Sequence, residues 1–141
     1  MFNNINDQFI KLLESLDDSQ WNLPVNKNWT IKGVVAHLVG WEKEAAEQLP
    51  IIWQTKSQPW FFQTDDYKKF NQQSIDRYSK LSGKELIKTW LDLQDKIEME
   101  IQKIGEDNLR ANPEFLWVFD EGENSHYSHH FNQIKKALTG V

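Results

Sequence analysis

Apolar side chains recur along this chain at steps of three and four residues, almost from one end to the other. That is the period of an amphipathic helix with one face turned to a core. Phe2, Ile5, Phe9, Leu12, Leu13 and Leu16 form the first such stripe, which fades at Asp17-Asp18-Ser19. Trp21 to Asn28, interrupted by Pro24, reads as a connection. Thr30 is a good N-cap for a second helix, because its hydroxyl can accept from an unpaired N–H of the first turn. The apolar face of that helix runs through Ile31, Val34, Val35, Leu38, Trp41 and Ala45, and Pro50 is expected to bound it. Residues 50–64 then read as a long aromatic loop. Loops of that length are uncommon in compact domains and often carry function. The competing reading is that Trp53, Trp60, Phe61 and Phe62 plug one end of the core.

A third helix is expected from Asp65 or Asp66 to about Ser79, with Tyr67, Phe70, Ile75 and Tyr78 inward. Ser82 and Glu85 have the spacing of a capping box, which opens a fourth helix. Its stripe of Leu86, Trp90, Leu93, Ile97, Ile101 and Ile104 is close to the seam of a helical bundle, and Gly105 ends it. Residues 106–124 read as mostly irregular, with Phe115 to Phe119 a strand, a helical turn or a plug. Ser125 can cap a last helix reaching about Leu138, with Tyr127, His130, Phe131, Ile134 and Leu138 on one face. The pattern predicts an all-α protein of five helices. Four are long enough for an antiparallel bundle and the short one lies across it, in a single domain spanning 1–141.

Composition narrows the function classes. The 141 residues carry 16 basic and 21 acidic side chains, a formal net charge of −5, and a nucleic-acid binder normally carries a basic stripe instead. No apolar run approaches the roughly 20 residues that cross a bilayer, and no secretory leader is visible at the start, so a cytoplasmic protein without membrane or nucleic-acid partners is expected. There is no cysteine. Disulfides, thiolate ligands and cysteine nucleophiles are therefore excluded together, and any thiol in the chemistry must come from outside. Seven Trp and eight Phe supply the material for an aromatic pocket.

The four histidines are not scattered. His37 lies mid-helix, three residues after Val34 and four before Trp41, on the inward face; His126, His129 and His130 open the last helix. Imidazoles at i and i+4 reach one point in space, so His126 and His130 with a third ring from another helix make a facial N3 set. Such a set suits Zn²⁺, Ni²⁺ or Fe²⁺ and leaves positions open for water or substrate. His129 is rotated about 100° from His130 and is the alternative ligand, pairing with His126 at i, i+3. An inward histidine is equally a core residue with satisfied nitrogens, so spacing alone leaves both readings open. Glu42, Glu44, Asp120, Glu121 and Glu123 are nearby in sequence and could orient an imidazole or act as a base, though none stands out.

At these residues the chain resembles a known family. The run Trp29-Thr30-Ile31-Lys32-Gly33-Val34-Val35-Ala36-His37-Leu38-Val39-Gly40-Trp41-Glu42 is similar to the W-[ST]-x-x-x-[VI]-x-x-H-[LI]-x-x-[WH]-E segment of the DinB superfamily. His126-Tyr127-Ser128-His129-His130-Phe131-Asn132-Gln133-Ile134 resembles its C-terminal H-x-x-H-H-x-x-x-I segment, and Asp66, Asn71 and Leu81 to Leu86 fit the middle of such proteins. The resemblance implies an up-down-down-up four-helix bundle. It also implies that His37, His126 and His130 are ligands of a divalent metal, Zn²⁺ or Ni²⁺. The superfamily includes YfiT-like metal-dependent hydrolases and mycothiol-dependent maleylpyruvate isomerases, and the related ClbS/DfsB-type proteins lack the triad.

The expected function is accordingly a metal-dependent enzyme acting on a small-molecule substrate. It would either hydrolyse that substrate or transfer a low-molecular-weight thiol to an electrophile. Trp41, Trp53, Trp60 and Tyr67, with Phe61 and Phe62, are the candidate pocket lining. The alternative is a non-catalytic bundle that sequesters a small molecule. A homodimer through the aromatic loop and the fifth helix is expected on general grounds, since closed dimers are the commonest oligomers.

Overall fold

The computed structural model describes residues 4–119 and 125–140. Its elements are α1 (Asn4–Glu14), α2 (Asp18–Trp21), α3 (Ile31–Thr55), a 3-10 turn (Trp60–Phe62), α4 (Lys68–Tyr78), α5 (Gly83–Ile104), α6 (Glu106–Arg110), a second 3-10 turn (Pro113–Phe119) and α7 (His126–Thr139). No strand occurs among the described residues, and the chain is an all-α bundle. Phe2 of the first apolar stripe lies outside the described residues.

Contacts along the helices give their directions. Gln94 donates to Asn6 at 2.9 Å and Trp90 meets Phe9 edge-on at 5.0 Å, so α1 and α5 run antiparallel. The C-terminal residues of α3 (Ala46, Leu49, Ile52) share a core with those of α5 (Ile97, Ile101), so these two helices run parallel. Tyr127 at the start of α7 stacks on Trp90, and Ile134 packs into the core at the N-terminal ends of α3 and α5, so α7 runs against α5. The order is up, down, down, up, as the resemblance implied.

The starts that the sequence announces are built as expected. The Thr30 hydroxyl accepts from the Gly33 N–H at 3.1 Å, Ser82 and Glu85 form the reciprocal capping box, and Ser125 accepts from Ser128 at 3.1 Å. An additional box, Asp17 with Gln20, opens the one-turn helix α2, which the pattern reading left out.

Three boundaries differ from expectation. The second helix of the sequence reading does not stop at Pro50: α3 runs through it to Thr55. A proline inside a helix costs about 3 kcal/mol. Here Leu49 and Ile52, both buried on the far core, hold the turn in place. Of the expected loop 50–64, residues 50–55 are therefore α-helix and Trp60–Phe62 a 3-10 turn. The third helix begins at Lys68 rather than at Asp65 or Asp66, because residues 61–67 form a closed turn, with the Tyr67 hydroxyl donating to the Phe61 carbonyl at 2.6 Å. Residues 106–119, expected to be irregular, form α6 and a 3-10 turn whose Leu109, Phe115 and Phe119 are buried. Of the three readings of Phe115 to Phe119, the strand is not observed; the segment is a helical turn that also plugs the core through Phe115 and Phe119.

Gly40 lies where α4 crosses α3. A Cβ there would collide with the Ser74 hydroxyl, so only glycine lets α4 press directly on α3.

Candidate metal centre

His37 sits in the second turn of α3 and is buried, 4 % exposed. His126 and His130 lie one turn apart at the start of α7, where Ser125 caps the helix. The packing of α7 against α3 brings the three rings together. The Nε2 atom of His126 is 3.1 Å from that of His37 and 3.0 Å from that of His130, and one ligand atom from each of the three residues falls within 4.8 Å of the others.

The outer nitrogens are held by amides. His37 Nδ1 is 2.9 Å from Asn71 Oδ1, and the same oxygen accepts from the Trp41 indole N–H at 3.0 Å. An indole N–H only donates, so the Asn71 atom is the oxygen, and His37 must give it the Nδ1 proton. The neutral ring then presents a lone pair at Nε2. Gln133 Oε1 stands 2.6 Å from His130 Nδ1 and does the same for that ring. This is the arrangement by which outer-shell groups orient metal-ligating histidines.

Asn71 reaches His37 because of Gly40. Ser74 sits against Gly40, and the residues one turn earlier on each helix are Asn71 and His37.

Electrostatics keep His37 and His126 neutral. Burial, then the neighbouring His126 and His130, push His37 down to about 3 from its usual 6.5. His126 is exposed as a residue, but its Nε2 faces the other two rings. Withdrawal of that ring from water, then the charge of His129, lowers it to about 4. Neutral imidazole is the metal-binding form.

The residues fit a divalent metal. Two of the three converging Nε2 atoms carry lone pairs, and a single proton on His126 can bridge to only one of them. A cation satisfies all three. Ligands at about 2.0–2.1 Å from zinc lie roughly 2.9–3.4 Å apart for angles between 90° and tetrahedral, which matches the two short separations.

The triad opens on a cavity of about 570 Å³. Leu38 from one core and Ile97 and Phe119 from the other line its floor, so it occupies the gap between the two halves of the bundle. Trp29 lies against His37 at 4.9 Å between ring centroids and closes the back. Of the pocket residues expected from sequence, Trp41, Tyr67, Phe61 and Phe62 line this cavity. Trp53 and Trp60 are not among its lining residues. Trp53 packs on Phe115 with the Lys56 ammonium 3.3 Å over its ring, and Trp60 stacks behind Trp41 while donating to Glu44 at 2.8 Å. They stiffen the aromatic wall from outside. His129 also lines the cavity, but the convergent group is His37, His126 and His130. Glu42 is a buried lining residue; Asp120, Glu121 and Glu123 lie outside the described residues.

Pattern reasoning missed the roles of Asn71, Gln133 and Trp117. Gln133 had a signal, three residues after His130 on the same helix. Asn71 fitted the family resemblance but with no role attached, and Trp117 had no signal, because only the packing of α4 and of the second 3-10 turn brings them to the site.

Compared with known families, residues 1–134 match the model of the DinB superfamily. No curated protein and no solved structure matches the chain.

Proposed function

The chain belongs to the DinB superfamily, and from that premise we propose that it is a metal-dependent enzyme acting on a small organic molecule at His37, His126 and His130. The observation that carries this reading is the pair of carbonyl-held imidazoles whose Nε2 lone pairs meet at the head of a cavity. Zn²⁺ or Ni²⁺ suits three neutral nitrogens. A metal held there supplies Lewis acidity, lowering the pKa of a water or a thiol that reaches it. The chain's own residues do the rest. Asn71 and Gln133 hold the ring tautomers, Trp29 and Trp41 shield the buried side, and the cavity presents the reacting group while excluding bulk water. Two reactions are compatible with this arrangement: hydrolysis of an activated bond, and addition of an external low-molecular-weight thiol to an electrophile.

Elemental analysis of untagged protein tests the reading. About one zinc or nickel per chain is expected, and His126→Ala, which alters an exposed residue, abolishes it without unfolding the protein. Metal-loaded protein should then turn over activated esters, or electrophiles in the presence of small thiols, and chelated protein should not. Failure to hold stoichiometric metal after loading, or equal binding by His126→Ala, refutes the metal centre. Metal binding without turnover in either panel would favour a sequestering protein.

A further inference from the structure

One wall of the cavity is built of aromatic rings set at right angles to one another. Phe61 meets Trp41 at 5.8 Å and 89°, Phe62 at 5.5 Å and 90°, and Trp117 at 5.1 Å and 80°. Tyr67 meets Trp41 at 5.2 Å and 89°. All five line the cavity. Their polar atoms are already engaged or buried. The Trp41 indole N–H donates to Asn71, the Tyr67 hydroxyl donates to the Phe61 carbonyl, and the Trp117 Nε1 atom is buried. What this wall offers a ligand is therefore ring carbon. The two hydrogen bonds, with Trp60 stacked on Trp41 at 5.8 Å, also fix the rings before anything binds, which lowers the ordering cost of binding.

We propose that the cavity selects a neutral molecule with a flat, fused aromatic body, laid against this wall with its polar end toward the histidines. That the polar end is the reacting end rests on the proposed function; the ring site does not. Aromatic rings carry negative faces and positive edges, so a flat aromatic guest gains edge-to-face or offset contacts with rings fixed in several orientations. A saturated ring of the same size lacks that quadrupole and gains burial alone. Negative ring faces disfavour an anion, and among the described residues no lysine or arginine lines the cavity to receive one. The volume of about 570 Å³ exceeds several-fold the roughly 150 Å³ that houses benzene, so the body is larger than one ring.

Binding is measured by calorimetry on chelated protein, so that coordination to metal cannot contribute. The probes are 2-naphthalenemethanol, its saturated counterpart decahydro-2-naphthalenemethanol, the single-ring benzyl alcohol and the anion 2-naphthoate. The naphthyl alcohol is expected to bind about fivefold tighter than the decahydro alcohol, although the saturated ring is the more apolar, and about tenfold tighter than benzyl alcohol. Naphthoate should bind more weakly than the naphthyl alcohol. Trp117→Leu keeps the wall apolar and removes one ring from a half-buried position, so the preference for the aromatic over the saturated alcohol should fall about twofold or more. Equal or tighter binding of the decahydro alcohol by the wild-type protein overturns the proposal without any variant. So does naphthoate binding as tightly as the alcohol, or a Trp117→Leu protein that keeps the full preference. Zinc uptake is measured on the same protein. Ring preference without zinc uptake supports the ring site and removes the metal centre, whereas zinc uptake without ring preference does the reverse.

Discussion

The two ends of the bundle are built differently, and the difference is where the site comes from. At the end where α3 and α5 begin, all four long helices contribute: Phe9, Leu13, Val34, Val35, Leu86, Trp90 and Ile134 interlock in a closed core. At the other end, among the described residues, the long helices of the core are the parallel pair α3 and α5. Ala46, Leu49, Ile52, Ile97 and Ile101 are covered there by α6 and the second 3-10 turn through Leu109, Phe115 and Phe119. Short capping elements cannot fill the width that two long helices would. The aromatic cavity occupies the gap, with the histidines at its edge on α3 and α7. Dense packing makes one end stable, and the thinner cover at the other makes room for a ligand.

The largest effect should come from breaking the closed end. Trp90 is fully buried between Phe9 and Tyr127, and Trp90→Ala should lower stability by about 3–5 kcal/mol in denaturant unfolding. An unchanged midpoint would mean that the closed core is not where stability resides. Next comes the seam joining the core to the site. Gly40→Val forces α4 off α3, costing about 1–3 kcal/mol, and it should weaken zinc binding as well, because Asn71 moves with α4. Asn71→Ala separates the two consequences. Loss of an outer-shell partner typically weakens metal binding about 10–100-fold, while the melting temperature of the metal-free protein should barely move. Equal zinc affinity in both proteins would show that the carbonyl does not position the ring.

The smallest effect is a pH dependence confined to the cavity end. His37 and His126 titrate near 3 and 4 when folded and near 6.5 when unfolded. The unfolded chain therefore takes up protons that the folded one refuses. Stability of the metal-free protein should be full above about pH 6.5 and decline as the pH falls toward 4 and then 3. His126→Ala should flatten that decline, and Trp90→Ala should leave its slope unchanged.

Much of this was legible beforehand for physical reasons that operate locally. The 3.6-residue period of Leu86 to Ile104 and the side-chain caps at Thr30, Ser82 and Ser125 act within a few residues, so they place helices reliably. His126 and His130 are one turn apart whatever surrounds them, and their convergence is a property of the helix. Pro50 shows the converse. Its local penalty is real, but burial of Leu49 and Ile52 in a core formed with distant Ile97 and Ile101 outweighs it.

The chain's own pattern thus determined an all-α bundle with an inward histidine and a histidine pair, and its lack of cysteine excluded an internal thiol. Tertiary structure alone decided that the third ring meets the pair, that Asn71 and not a carboxylate holds it, and that Trp53 and Trp60 brace the wall while Trp117 and Glu42 line the cavity. The physical reason is range. Periodicity and capping depend on neighbours within a turn or two, whereas a cavity is the space left between elements, and its lining depends on how closely α4 can approach Gly40 and how little of the far end the short caps can fill.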